Sequence, residues 1–344
     1  MLSNPIFIVG TERSGSNLLR LMLNQHSRIA IPHPPHIMRD MAGLESQYGD
    51  LTDANRFHKL ATDVAQLVNM HFAPWPFLIL ADELISQSKA QTLYGLYAAL
   101  YDLYAKHSGK ARWGCKSTFM YQQIESILKA HSQPKFIHLV RDPRDVAVSA
   151  GGSIFSRFHP FSEAQLWSEQ QLEIEGWREH LGTDHYLRVR YEDLTAQPET
   201  ELKHIMNFLG EQFDPAQIEF HNSGEARNLA RLSQSWQNVQ KPTSTKSVGQ
   251  YRARLNAQDL SWVESEAWDL MKIYGYSTEN ERRPTPPNNS QLFKISIVEF
   301  MQKWKVESKA LFFDRNFKRR WRRRFYLSQL SRIEGVANGT QART

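Results

Sequence analysis

The stretch PIFIVGTERSGSNLLRLML, residues 5–23, decides the fold. Its opening, Pro5-Ile6-Phe7-Ile8-Val9, is a compact apolar run with no polar face, which predicts a short buried strand ending at Gly10. After Gly15, the residues Leu18, Leu19, Leu21, Met22 and Leu23 crowd an amphipathic helix. Between strand and helix, Gly10-Thr11-Glu12-Arg13-Ser14-Gly15-Ser16-Asn17 has two glycines five residues apart, like a phosphate-cradling loop whose backbone amides and helix N-terminus face an anion. The nucleoside-triphosphatase version needs Lys then Ser/Thr after the second glycine, to reach the β,γ-phosphates and Mg²⁺. Ser16 and Asn17 stand there instead. Arg13 supplies a fixed planar cation suited to anionic oxygens. Taken alone, the loop also fits a glycine turn with a surface arginine.

The same grammar recurs further on. Lys135 to Val140 reads as a second buried strand running into Arg141-Asp142-Pro143-Arg144-Asp145 and a helix-compatible Val146 to Ser149, with Pro143 suited to the first helical turn. Arg141 and Ser149 are thus placed to grip a second phosphate. Tyr186 to Tyr191 alternates with period two, and Arg112 to Cys115 predicts a shorter strand. Strands separated by long helical stretches predict an α/β fold, with a mostly parallel sheet flanked by helices on both faces. Residues 44–110 read as largely helical, with Tyr94, Tyr97, Leu100, Tyr101 and Tyr104 at spacings of three and four, expected as core or pocket wall. Prolines and polar residues from Glu281 to Ser290 read as a linker. The expected organisation is a catalytic domain over 1–280, a linker over 281–291 and a basic helical extension over 292–344.

The 344 residues are 41% hydrophobic and 23% charged, an ordinary globular composition. No apolar run approaches the ~18 residues of a spanning helix, and residues 1–10 lack the layout of an export signal, so the expected location is the cytoplasm. The single cysteine, Cys115, excludes an internal disulfide and any multi-cysteine metal cage. The net charge of +6 is misleading: residues 315–344 hold nine Lys/Arg and one acid, which leaves residues 1–314 at −2. Basicity belongs to the tail, and nucleic-acid binding by the main body is not expected.

These residues resemble the sulfotransferases that use 3′-phosphoadenosine 5′-phosphosulfate. Thr11 to Asn17 is similar to that family's 5′-phosphosulfate loop, and Leu139-Val140-Arg141-Asp142-Pro143-Arg144-Asp145-Val146-Ala147-Val148-Ser149 to its 3′-phosphate segment. Arg190 to Leu194 resembles its tyrosine-containing motif near the adenine, and Lys241 to Tyr251 its late loop over the nucleotide. The likeness spans roughly residues 4–276 and is nearer the tyrosylprotein and bacterial branches than the phenol and steroid enzymes. It implies a P-loop-like three-layer fold and transfer of a sulfuryl group to a hydroxyl of a carbohydrate, lipid or peptide, with no metal expected.

The resemblance also implies roles. Arg13, with Ser14, Gly15, Ser16 and Asn17, would hold the leaving 5′-phosphate and the sulfonate; Arg141, Ser149 and Lys246 the 3′-phosphate; Tyr191 the adenine. Ser235 resembles a family serine near the sulfonate, although Trp236 and Gln237 depart from the pattern around it. Lys116 resembles the catalytic lysine that neutralises the bridging oxygen. For the base, Ile31-Pro32-His33-Pro34-Pro35-His36-Ile37 offers two histidines, which a polyproline II conformation would point the same way ~9 Å apart. An imidazole titrating near pH 6.5 suits general-base work. His36 is preferred, because similar bacterial members carry histidine there, with His33 in reserve; a shared metal lacks a completing carboxylate or thiolate pattern.

In the tail, Phe313, Phe317, Trp321 and Phe325 recur every fourth residue among Arg315, Lys318, Arg319, Arg320, Arg322, Arg323 and Arg324. One helix would carry an aromatic stripe among cations, suited to peripheral contact with an anionic membrane or an acidic partner through residues 313–325. The alternative is that the stripe docks on the catalytic body. Two other functions stay open: a P-loop phosphoryl transferase, disfavoured by Ser16 and Asn17, and a noncatalytic nucleotide-binding scaffold acting through its tail.

Overall fold

A computed structural model describes residues 4–151, 157–232, 234–313 and 316–341, with backbone alone for 234, 235, 309–313 and 332–341. In chain order the strands and helices are β1 (Ile6–Gly10), α1 (Ser16–Gln25), β2 (Ile29–Ala30), α2 (Ile37–Met41), α3 (Ala54–Asn69), α4 (Ala81–Gln87), α5 (Leu93–His107), β3 (Arg112–Lys116), α6 (Ile124–Ala130) and β4 (Lys135–Val140). There follow α7 (Pro143–Ala150), α8 (Pro160–His185), β5 (Tyr186–Arg190), α9 (Tyr191–Ala196), α10 (Pro198–Leu209), α11 (Gly224–Leu232), α12 (Tyr251–Arg254), α13 (Ala257–Ile273), α14 (Asn289–Phe313) and α15 (Phe317–Gln341). The protein is a mostly helical α/β fold built on a five-stranded parallel sheet of order β2-β3-β1-β4-β5. Both strand–loop–helix readings hold: the loop at residues 11–15 joins β1 to α1, and Arg141-Asp142 joins β4 to α7.

The chain divides into two compact units. The first comprises Met1–Phe7, Ser27–Pro134 and Arg315–Thr344. In it β2 pairs with β3 in the register Ile29↔Arg112 and Ala30↔Trp113. Trp113 packs edge-on against Phe7 with ring centroids 5.6 Å apart, and Tyr94, Tyr97, Leu100 and Tyr101 of α5 are buried. The aromatic ladder is therefore core, with Tyr101 donating to the Cys115 Sγ. Asp53 caps α3 by accepting from the amides of Asn55 and Arg56.

The second unit comprises Ile8–His26 and Lys135–Asp314. Here β4 and β5 run in parallel from Phe136↔Tyr186 to Val140↔Arg190. Gly10 ends β1 with φ 141°, and a Cβ there would stand 2.3 Å from the Leu139 carbonyl oxygen, so the chain can leave the sheet at this point only as glycine. Val140, Val146, Trp167, Ala267, Leu270 and Met271 form a buried cluster that seats α7 and α8 against α13. No helix among the described residues is long and apolar enough to cross a membrane.

Candidate active site

In the second unit the two loops converge on one set of side chains. Arg13 has a left-handed backbone, φ 69°, and its Nε donates to the Ser149 carbonyl at 3.2 Å and to Ser149 Oγ at 3.3 Å. Arg141 is buried; Nη1 donates to the Arg13 carbonyl at 2.8 Å, Nη2 to the Ser247 carbonyl at 2.7 Å, and the guanidinium lies 4.5 Å from the Tyr191 ring centroid. The Tyr191 hydroxyl and Ser247 Oγ are 2.6 Å apart. Gly15 lies against the same ring: at φ 89° its Cβ would come within 2.3 Å of Tyr191 Cδ2. Arg13, Gly15, Arg141, Ser149 and Tyr191, separated widely in sequence, thus form one cradle.

That cradle has open polar capacity. α1 starts with no side-chain cap and no acidic residue in its first turn, so its amides retain their preference for an anion. Ser14 Oγ, Asn17 Oδ1 and Arg141 Nε are buried with no hydrogen-bond partner. Burying polar atoms unpaired costs roughly 1–3 kcal/mol each, a cost a bound anion can remove at the two donors among them. Burial and the nearby Arg141 lower the Arg13 pKa, while Glu12 and Glu163 oppose that shift. Glu163 is itself raised to about 7, chiefly by burial.

The motif Arg141-Asp142-Pro143-Arg144-Asp145 divides its labour. Asp142 caps α7 by accepting from the Arg144 amide at 2.9 Å, and Pro143 occupies the first turn. Arg144 is buried between Asp142 and Glu264, both at 2.7 Å. Asp145 accepts from the amides of Gly249 at 2.6 Å and Tyr251 at 3.1 Å, which ties the late loop to α7. This anchoring by Asp145, and Ser247 as partner of both Arg141 and Tyr191, escaped the sequence reading; the second Asp of the motif was the available signal. Lys246 is exposed, with its amide bound to Ser244 Oγ. Ser235 falls in a short 3-10 segment, Gln234–Gln240, and its side chain lies outside the described residues. Ser16 is buried at the start of α1.

A second cluster lies in the first unit. Lys116 ends β3 with its side chain buried, and Ser117 Oγ stands 3.5 Å from His36 Nδ1. His36 precedes α2 in a left-handed conformation, φ 57° and ψ 32°, so polyproline geometry does not extend through it. Its ring and that of His33 flank His71, at centroid distances of 6.3 and 5.4 Å. Burial, then Arg39, Lys116, His71 and Arg323, hold the His36 pKa well below its ordinary value. Burial pushes His71 down to about 3. Among the described residues, the non-glycine positions with positive φ are Arg13 and His36, both singled out from sequence. Such conformations cost of order 1–3 kcal/mol and collect at functional sites.

A glycine loop between strand and helix, gripped by the arginine that follows β4 and lacking the Lys-Ser/Thr pair, is the layout of a P-loop-like fold. The chain belongs to the sulfotransferase family, whose sequence profile matches residues 5–215. It is 22% identical over 263 residues to protein-tyrosine sulfotransferase 1 of Danio rerio, covering 73% of this chain and 66% of that protein. To the Drosophila melanogaster protein-tyrosine sulfotransferase it is 24% identical over 284 residues, covering 79% and 51%. The chain therefore spans less than two-thirds of the length of these relatives. Its fold is similar to the sulfotransferase domain of the Synechococcus PCC 7002 olefin synthase, with TM-score 0.54 and 23% identity over 80% of this chain and 96% of that one. It is likewise similar to the sulfotransferase domain of the curacin biosynthetic pathway, with TM-score 0.55 and 20% identity over 80% and 99%.

Proposed function

We propose that the chain transfers the sulfuryl group of 3′-phosphoadenosine 5′-phosphosulfate to a hydroxyl of a carbohydrate, lipid or peptide. The observation that carries this reading is the cradle of Arg13, Ser149, Arg141 and Tyr191, with unpaired buried donors at Ser14 Oγ and Arg141 Nε. These donors suit two separate anionic groups on one nucleotide. Arg13, Ser14, Ser16, Asn17 and the amides after Gly15 hold the 5′-phosphosulfate end; Arg141, Ser149 and Lys246 hold the 3′-phosphate; Tyr191 lies against the adenine; and Ser235 stands near the sulfonate.

In the reaction the acceptor oxygen forms a bond to sulfur while the sulfur–oxygen bond to the 5′-phosphate breaks. Charge builds on the sulfonate and the leaving oxygen, which Arg13 and Lys116 stabilise as fixed cations. His36 takes the acceptor proton at Nε2, with Nδ1 turned to Ser117 Oγ; His33 is the reserve base. The neutral state favoured by burial and four neighbouring cationic or imidazole groups leaves that lone pair free at physiological pH. The family resemblance supports the catalytic roles within residues 1–280. Incubation with ³⁵S-labelled donor and cell extract tests the reading: a labelled acceptor that disappears with Arg13→Ala supports it, and no labelled product overturns it.

A peripheral membrane contact is supported by α15. Trp321 and Phe325 are exposed and stacked, centroids 5.5 Å apart at 10°, beside the exposed Arg322 and Arg324. Phe317 is half-buried, and the side chains of Phe313 and Arg315 lie outside the described residues. Aromatic rings among cations suit an anionic lipid surface.

A further inference from the structure

α15 meets the rest of the first unit through a polar face. Its buried positions, Arg323 and Leu330, and the half-buried Tyr326 share one side of the helix, while Trp321 and Phe325 face solvent. Tyr326 donates to Asp63 Oδ1 at 2.6 Å, a carboxylate that also accepts from Tyr48 and Lys59. Arg323 reaches further in. Its Nη1 pairs with the Asp40 carboxylate, Nη2 donates to the Pro35 carbonyl at 2.8 Å, and Nε to the Leu67 carbonyl at 3.2 Å.

Two of that guanidinium's three partners bracket His36. Pro35 is the residue before it, and Asp40 closes the first turn after it, its amide donating to the His36 carbonyl at 3.1 Å. His36 itself holds a left-handed backbone that a non-glycine residue adopts only when its surroundings impose it. A planar fork can meet two carbonyls and a carboxylate at once; an ammonium is a point charge and cannot span them in the same way.

We propose that Arg323 is a positioning residue: the C-terminal helix, through this one guanidinium, fixes the Pro35–Asp40 turn that aims the His36 imidazole at the acceptor. The proposal rests on His36 being the proton acceptor in the sulfuryl transfer proposed above. Arg323 also acts on the charge of the ring. The groups that face His36 are Arg39 on α2, Lys116 at the end of β3, His71 after α3, Arg323 on α15 and the Ser117 hydroxyl. Removing the Arg323 charge makes the imidazole easier to protonate, so its titration moves to higher pH.

The test uses the full chain and four variants. NMR follows the His36 imidazole, assigned by its loss in His36→Gln, together with amide exchange over Ile37–Met41, turnover with the labelled donor, and affinity for adenosine 3′,5′-bisphosphate. Arg323→Gln should raise the His36 midpoint, speed exchange in the turn and lower kcat by about 10²-fold, the scale expected of a misplaced reacting group, with nucleotide affinity unchanged. Arg323→Lys should lower kcat while leaving the midpoint near that of the parent, because the charge stays and the fork is lost. Tyr326→Phe, which loosens the same helix away from His36, should alter neither. A folded Arg323→Gln protein with unmoved midpoint and exchange overturns the proposal. If that variant fails to fold, unchanged turnover and exchange in Arg323→Lys does so. Absence of transfer by the parent chain would instead overturn the sulfuryl-transfer reading, and the midpoint and exchange would still report whether Arg323 holds His36.

Discussion

Arg141 donates to the backbone carbonyl of Arg13 at 2.8 Å across 128 residues of sequence, so the two arginines assigned to opposite ends of one nucleotide are mechanically joined. The same guanidinium reaches Ser247 and covers the Tyr191 ring, three contacts that depend on a planar fork. Arg141→Lys should therefore bind adenosine 3′,5′-bisphosphate about 10–100-fold more weakly, close to the loss in Arg141→Ala, as expected for a hydrogen bond to a charged group worth roughly 1.5–3 kcal/mol. Calorimetry on both variants checks this; recovery of affinity by lysine would show that charge alone matters.

Gly15 has no room for a methyl group, since Tyr191 Cδ2 would lie 2.3 Å from it, and its φ of 89° disfavours any other residue. Gly15→Ala should cost about 1–3 kcal/mol from backbone strain alone and displace Tyr191, the proposed adenine contact, from the cradle. Loss of nucleotide affinity together with a Tm lower by a few degrees is the expected pattern. Unchanged affinity would mean that Tyr191 does not contact the nucleotide.

The His36 pKa is depressed first by burial and then by Arg39, Lys116, His71 and Arg323. A base with a depressed pKa stays deprotonated as pH falls, so the acid limb of kcat/KM for the free enzyme should lie well below pH 6.5, with a flat profile from there to neutrality. A limb at or above 6.5 in the parent chain would point to another base. His36→Ala should lower kcat by about 10²–10⁴-fold, the usual range for general-base catalysis, without changing donor affinity.

How much of this was legible in the sequence depended on the range of the contacts. β1, β4 and their loops were readable because a buried strand, a glycine turn and a proline at a helix start are local signals. Arg13 and Arg141 were found for the same reason. The task of Asp145 was not readable: its partners, Gly249 and Tyr251, lie about a hundred residues on, and a carboxylate in a charged motif looks the same whether it faces solvent or an amide. Arg323 is a sharper case. In a run of arginines nothing distinguishes the buried one, because its burial depends on Asp40 and Pro35, more than 280 residues earlier. The aromatic stripe suggested a face for α15, yet Trp321 and Phe325 point outward and the inward contacts described are made by Arg323, Tyr326 and Leu330.

The proposed membrane contact of the tail can be tested on the exposed ring pair. Replacing both rings in Trp321→Ser/Phe325→Ser should reduce co-sedimentation with vesicles containing phosphatidylserine, and raised salt should weaken what remains, since the cations are retained. Equal binding by parent and variant would remove the aromatic pair from any membrane contact.

The central claim is that one nucleotide is gripped at two phosphates without help from magnesium. Calorimetric titration of the full chain with adenosine 3′,5′-bisphosphate in EDTA tests it most directly. The account predicts saturable binding that is lost in both Arg13→Ala and Arg141→Ala. No heat of binding to the parent chain, or binding of ATP only when Mg²⁺ is supplied, would contradict it.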